Sequence, residues 1–321
     1  MAATTDFVAA QTVNRCKTLV LLVVLTALAA LFGYLDGWVL EGEVTDTVAL
    51  VSYTGLVAAA AMAAASVIWS GISLAFGSRM VLAMADAKPI EKADAPQLFN
   101  VVEEMSIAAG VPMPKVMVME TDALNAFATG TSTSNAAIVV TRGLLSTLNR
   151  EELQGVVGHE MGHIANLDTR YMTVVGVTVG LIALVASMIL RAMQWGSYSS
   201  SSSRSDRKGG SGGAAILIIV LLVVAVLAPL AAKAVQMAVS RQREYLADAT
   251  SVQFTRNPDG LISALQKLEA AAGKPFPGVS DATQHLFIVN PVRAMTAKTS
   301  ALMATHPDRE SRIARLRNLG A

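Results

Sequence analysis

The sequence is poor in several residue types, and each shortage excludes something. It has a single cysteine, Cys16, in 321 residues, so an intramolecular disulfide and a metal site built from several thiolates are both excluded. Cys16 stands at the edge of an apolar run and is given no chemical role. Charged residues make up only 15%, against about 25% in soluble domains. The formal net charge is +1, so no global field points to nucleic acid, and none is expected as a partner. Histidine is scarce too, with 4 in the chain. In their place stands apolar character: 53% hydrophobic residues and a mean hydropathy of +0.50.

The apolar residues gather in segments 18–35, 47–77, 171–190 and 214–232. A bilayer core takes about 20 apolar residues in a helix. The first segment is longer than the apolar part of a signal peptide, and a second follows closely. Arg15 and Lys17 precede it, whereas the loop after it holds Asp36, Glu41, Glu43 and Asp46 without a Lys or Arg. The positive-inside rule therefore puts the N-terminus in the cytoplasm and that loop outside, with Arg79 and Lys88 inside again. Segments three and four flank a Ser/Gly-rich linker, 196–213, carrying Arg204, Arg207 and Lys208 against Asp206. If both crossed, this basic linker would lie outside, against the rule. Two to four crossings are expected, and an even number leaves both polar blocks on one side. The expected organisation is two N-terminal transmembrane helices in 1–85, a first catalytic part in 86–170, a hydrophobic hairpin in 171–238 and a second catalytic part in 239–321.

In the first polar block, Leu98, Val101, Val102, Met105 and Ala109 have helical spacing, and Gly110 is a stop. Residues 115–120 and 136–141 read as strands, and the polar stretch between them as an edge strand. Asn149 with Glu152 predicts a capping box opening a helix that runs to about Ala165. In the second block, helices are predicted through "SRQREYLADATSVQF", through "PDGLISALQKLEAAAG" and through the tail. The tail has Ile313, Leu316 and Leu319 at helical spacing and reads as an amphipathic surface helix.

The chemistry-bearing stretch is "VVGHEMGHIAN", 156–166. His159 and His163 at i and i+4 share one helix face, which suits two nitrogen ligands to one zinc ion. Glu160, beside the first, is placed to take a proton from a water activated by that metal. H-E-x-x-H is the zinc-protease signature, and small Gly158 and Gly162 argue that its helix is buried. The long metzincin pattern needs Gly at 166 and His at 169, where this chain has Asn166 and Thr169. A third ligand must come from farther along, where His285, His306, Glu244 and Asp248 are available. A transporter is disfavoured, because the apolar segments carry no internal charges. An intact Glu160 argues against an inactive membrane scaffold.

"HEMGH" before a hydrophobic hairpin, then "SRQREYLADA", "THPDRESRIARLR" and the earlier "NAFATG" together resemble the HtpX-type membrane zinc metalloproteases and, more distantly, the CAAX prenyl proteases. The resemblance extends over essentially the whole chain. It implies a mainly α integral membrane protein with a zincin-like α+β catalytic part containing a small β-sheet. It also implies one Zn2+ per chain held by His159, His163 and Glu244, with Glu160 as general base and Asp248 as a supporting residue or proton donor. His306 would contact the reacting carbonyl, and Asn125 would bind substrate backbone added to the edge strand. His285 is left without a role. The implied activity is proteolytic quality control of membrane proteins under stress, at the cytoplasmic face of the inner membrane, on unfolded or membrane-protein substrates in the lipid bilayer. A prenyl-protein-type protease is the nearest alternative.

Overall fold

A computed structural model describes residues 7–45, 51–181, 241–271 and 309–319. The chain divides into two compact units. One comprises Met1–Thr18, Leu74–Val177 and Val235–Ala321, and the other Leu19–Ser73 and Thr178–Ala234.

In the second unit, helices α1 (Phe7–Thr45) and α2 (Tyr53–Met84) contribute their middle and facing ends. Windows Val8–Val39 and Tyr53–Met84 are long and apolar enough to cross a membrane. Polar groups tie the two together within the unit. Thr26 and Ser66 hydroxyls lie 3.0 Å apart, Ser52 N donates to Tyr34 Oη at 3.3 Å, and Thr54 N donates to Glu41 Oε2 at 2.9 Å. Leu19, Val20, Val23 and Ile68 point outward, as side chains facing lipid should. Both helices run past the apolar segments read from sequence, because a helix need not stop where lipid does. The opening turns of α1 and the last turns of α2 belong to the other unit.

That unit is built around one helix. After β1 (Lys88–Pro89) come α3 (Pro96–Ala109), β2 (Lys115–Met119), β3 (Ala126–Thr129), β4 (Ala137–Thr141), α4 (Arg142–Thr147) and α5 (Arg150–Ala165). A further helix, α6, begins at 168 and runs through 181. Then follow α7 (Arg241–Thr255), α8 (Pro258–Ala270) and α9 (Arg309–Leu319). The sheet order is β1-β2-β4-β3, with β2 and β4 parallel and the other pairs antiparallel. Helix α3 starts on Pro96 and stops at Gly110, whose φ of 65° suits a residue without a Cβ. Its Leu98, Val101, Val102 and Met105 join Val116, Val118, Ile138 and Val140 of the sheet and Val156, Val157, Met161 and Ile164 of α5 in one core. Each such side chain contributes about 1.5–3 kcal/mol by leaving water.

Helix α5 opens with the capping box. Glu152 N donates to Asn149 Oδ1 at 2.9 Å, and Asn149 N to Glu152 Oε2 at 2.8 Å. Lys267 and Ser263 of α8 also donate to Glu152, at 2.7 and 2.6 Å, so this buried carboxylate fastens two helices. A Cβ on Gly158 would lie 2.9 Å from Ser251 Oγ, and one on Gly162 would lie 3.1 Å from Thr250 Cβ. These glycines let α7 lie close against α5, and Ser251 Oγ donates to the Gly155 carbonyl at 2.7 Å.

The first part of the third apolar segment is protein core. Tyr171, Met172, Val174, Val175 and Val177 are buried, and Thr173 Oγ1 lies 2.9 Å from Thr129 Oγ1 on β3. The rest of that segment, the fourth segment and the Ser/Gly-rich linker lie outside the described residues. The tail is helical as expected, but its character differs. Ile313 and Leu316 are buried while Leu319 is exposed, and Arg312 is buried as well, because it finds a carboxylate inside.

Candidate active site

His159 and His163 sit one turn apart on α5, nearly fully buried. Their rings are almost perpendicular, at 89°, with centroids 4.8 Å apart, and their Nε2 atoms face each other at 3.2 Å. Glu244 comes from α7, the helix that the glycines draw close. Its Oε2 lies 3.7 Å from His159 Nε2, and its Oε1 lies 3.7 Å from His163 Nε2. Four-coordinate zinc at 2.0–2.1 Å from its donors separates them by about 3.3 Å. The three donor atoms lie within 4.8 Å of one another and could hold a metal ion.

The hydrogen bonds behind the rings carry the argument further. His159 Nδ1 is 2.9 Å from Asp248 Oδ1, and His163 Nδ1 is 3.0 Å from Asp168 Oδ2. A carboxylate only accepts, so at these shorter distances each Nδ1 carries the hydrogen, rather than accepting from Arg312 Nη2 at 3.4 Å from His159 Nδ1, and each Nε2 presents a lone pair. Two lone pairs 3.2 Å apart repel unless a cation lies between them. Without a metal, the site gathers a proton instead. Burial disfavours charge on His163, but the Asp168 hydrogen bond and the charges of Glu244, Asp168 and Glu160 outweigh it and push its pKa up to about 9. Burial holds His159 below the ordinary histidine value, although Asp248 works the other way.

Glu160 follows His159 and is 2% exposed. Burial, reinforced by the nearby charge of Glu244, raises its pKa to about 7, while the charge of His163 and then a backbone hydrogen bond from Ala128 partly offset the shift. That bond ties the carboxylate to β3, the outer strand. Thr141 N donates to the Asn125 carbonyl at 3.1 Å. In the antiparallel alternation this makes Phe127–Val139 a hydrogen-bonded pair and turns the backbone groups of Ala126 and Ala128 away from β4. Every residue of β3 is buried, so this edge is recessed. Asn125 stands just before β3, 2% exposed, with Oδ1 accepting from Ala126 N at 3.0 Å.

Asp248 lies behind His159. Arg312 of α9 grips it with two hydrogen bonds, Nε to Oδ2 at 2.8 Å and Nη2 to Oδ1 at 2.6 Å. Burial would raise the Asp248 pKa, but Arg312 and His159 hold it below the usual carboxylate value. The structure therefore brings together His159, Glu160, His163, Glu244 and Asp248, with Asn125 at the edge strand. His306 and His285 lie outside the described residues.

Sequence reasoning passed over Asp168 and Arg312. Asp168 had a signal, since it is the only acidic residue between His163 and the third apolar segment. A backbone turn places it. Leu167 takes a left-handed φ of 58°, which costs a non-glycine roughly 1–2 kcal/mol. The turn ends α5 and returns the next carboxylate beneath His163. Arg312 had no signal beyond membership of a basic tail.

A helix carrying two histidines and a buried glutamate, a third donor from a neighbouring helix, and a recessed strand edge beside them define a peptidase, here in a membrane protein. The chain belongs to peptidase family M48, which residues 92–320 match. It is 40% identical over 307 residues to "Protease HtpX homolog" of Streptococcus agalactiae serotype III (strain NEM316), covering 95% of this chain and 97% of that one. It is 40% identical over 306 residues to the protein of the same name from Streptococcus pyogenes serotype M49 (strain NZ131), with the same shares. Among solved structures, S. mikatae Ste24p is similar at a TM-score of 0.48 and 18% identity, over 96% of this chain and 67% of that one.

Proposed function

We propose that this chain is a zinc-dependent endopeptidase of the cytoplasmic (inner) membrane, cutting unfolded or damaged membrane proteins on the cytoplasmic side. The observation that carries the metal reading is the two Nε2 atoms facing each other at 3.2 Å, each ring with a carboxylate at its Nδ1. Two nitrogens and one carboxylate oxygen suit zinc, with one ion per chain. When bound, zinc supplies Lewis acidity, polarising a carbonyl and lowering the pKa of water toward 7.

The chain's own residues do the rest. Glu160, with a pKa near neutrality in its buried setting, takes a proton from the water whose oxygen adds to the scissile carbonyl carbon and gives it to the amine nitrogen as the C–N bond breaks. A substrate strand adding to β3 meets the outward-turned carbonyls of Ala126 and Ala128, whose N–H groups are taken by Asn125 and Glu160. The scissile bond is thereby held next to the base. In this reading Asn125 binds the substrate backbone and His306 stabilises charge developing on the carbonyl oxygen. Asp248 and Asp168 orient the two histidines. The cytoplasmic orientation follows from Arg15, Lys17, Arg79 and Lys88 flanking the first two apolar segments, against the acidic loop between them.

The test is cleavage of a denatured membrane protein by purified wild type and Glu160→Gln, with zinc and with a chelator. Cleavage by wild type with zinc alone supports the reading. Equal cleavage by Glu160→Gln, or indifference to the chelator, overturns it.

A further inference from the structure

We infer that Asn14, on the turn of α1 just before the apolar run, is a positioning residue for the metal centre, acting through Asp168 and His163. The inference rests on the zinc reading above. Asn14 Nδ2 carries two hydrogens. One donates to Asp168 Oδ1 at 2.7 Å and the other to the Asn166 carbonyl at 3.0 Å. Asp168 gives its other oxygen to His163 Nδ1 at 3.0 Å. The connection runs from Asn14 to Asp168 to His163 and ends on a nitrogen that faces the metal position. Asn14 and Asp168 are 4% and 1% exposed, so water does not replace a lost partner.

The neighbours explain why an amide is needed here. Lys17 and Arg243 both attract Asp168. A carboxamide donates twice without adding charge, whereas an aspartate at the same place would repel Asp168. One turn earlier, Gln11 Nε2 donates to the Ala165 carbonyl at 2.8 Å. That bond satisfies a terminal carbonyl of α5, which the helix leaves without an internal partner. Gln11 thus fastens only the helix end, whereas Asn14 reaches both that end and the carboxylate, so losing Gln11 isolates the first task. The first membrane helix of the chain in this way supplies a part of the metal site.

The test follows zinc leaving the full-length protein in detergent, using a chromophoric chelator as the acceptor. Losing a direct partner of a metal-bound histidine costs about 10–100-fold in metal affinity, so Asp168→Ala should release zinc faster by that order. Asn14→Ala, one link further out, should release it about 3–10-fold faster, and Asn14→Ser, which keeps one donor, by less. The double variant should match Asp168→Ala alone, since residues acting through one another are not additive. Gln11→Ala should behave as wild type. Wild-type retention by both Asn14 variants overturns the inference. So does a double variant whose effects multiply, or a Gln11→Ala as leaky as Asn14→Ala. A wild type that takes up no zinc overturns the zinc reading and this inference together.

Discussion

Replacing Arg312 with leucine tests whether the last helix is a working part of the metal centre. Arg312 and Asp248 form a two-pronged pair at 2.6 and 2.8 Å, with side chains 3% and 4% exposed. Removing one partner of such a pair leaves an uncompensated buried charge and costs roughly 3–5 kcal/mol. Asp248 keeps its bond from His159 Nδ1 at 2.9 Å, and in zinc-loaded protein that ring passes part of the ion's charge to the carboxylate. The lower figure therefore applies to loaded protein and the upper to metal-free protein. For a unit of about 200 residues, each kcal/mol moves Tm by roughly 2–4 °C. The expected drop is ~6–12 °C loaded and ~10–20 °C metal-free. Pulse proteolysis across a urea series in detergent, read on fragments of the catalytic unit, measures this without interference from the apolar helices. Arg312→Lys keeps the charge but loses the fork, and should fall between leucine and wild type. Arg315, on the same helix as Arg312 and stacked 3.9 Å over the Tyr245 ring of α7, is the control: its alanine variant should cost only about 0.5–1 kcal/mol. A loss below about 0.5 kcal/mol for Arg312→Leu in both states, the size of an ordinary surface change, would refute the reasoning.

The other expectations are briefer. Glu160→Gln should keep the fold and the zinc but lose turnover, because an amide cannot accept the proton; metal analysis beside a cleavage assay checks this, and metal loss counts against the assigned role. Glu244→Ala should strip zinc, whereas His306→Ala should keep it and slow cleavage by the equivalent of roughly 2.7–4 kcal/mol; the reverse pattern of metal contents would sink the ligand assignment. Zinc uptake should depend on pH in a fixed direction. The His163 pKa is raised to about 9 in metal-free protein, so below that pH the metal must displace a proton. Affinity should rise about tenfold per pH unit between about pH 6 and 8 and level off above about 9; calorimetry in buffers of different ionisation heat counts the released proton, and a flat profile contradicts the raised value. Reporters fused after Ala85 and at the C-terminus should both read cytoplasmic, and one after Asp36 external; opposite sides for the first two would forbid a shared metal site.

The parts of the fold that were legible in the sequence obey local rules. The capping box of Asn149 and Glu152, the stop at Gly110 and the short apolar strands depend on residues a few positions apart. The two histidines were legible for the same reason: a helix itself brings i and i+4 together. The proposal of Glu244 as third ligand needed the resemblance, because spacing alone left four candidates. The first two helices are longer than their apolar segments because hydropathy reports where lipid begins and not where backbone hydrogen bonding ends. The third apolar segment shows the same ambiguity, since Val174 and Val177 are as apolar in a protein core as in a bilayer.

What stayed hidden were the residues that hold the ligands' partners, and their chemistry explains why. Asn14 meets Asp168 across 154 positions, and Arg312 meets Asp248 across 64. In sequence each is an ordinary polar residue on a helix, and nothing local marks it as buried. Yet the metal geometry demands something of this kind. A ligating histidine must keep its second nitrogen protonated and its ring still, so it needs a carboxylate behind it. A buried carboxylate must in turn be matched by donors or a counter-charge. Asp168 receives an amide from the N-terminal helix and Asp248 a guanidinium from the C-terminal one. The different partners follow from their surroundings. Asp168 already has Lys17 and Arg243 nearby and gains from a neutral donor, whereas Asp248, two-pronged on Arg312, requires the full charge. In the proposed zinc site the demands of one ion would thus extend outward through two carboxylates to the N-terminal and C-terminal helices. Zinc retention should consequently report damage to either terminal helix, even where the H-E-x-x-H residues are untouched.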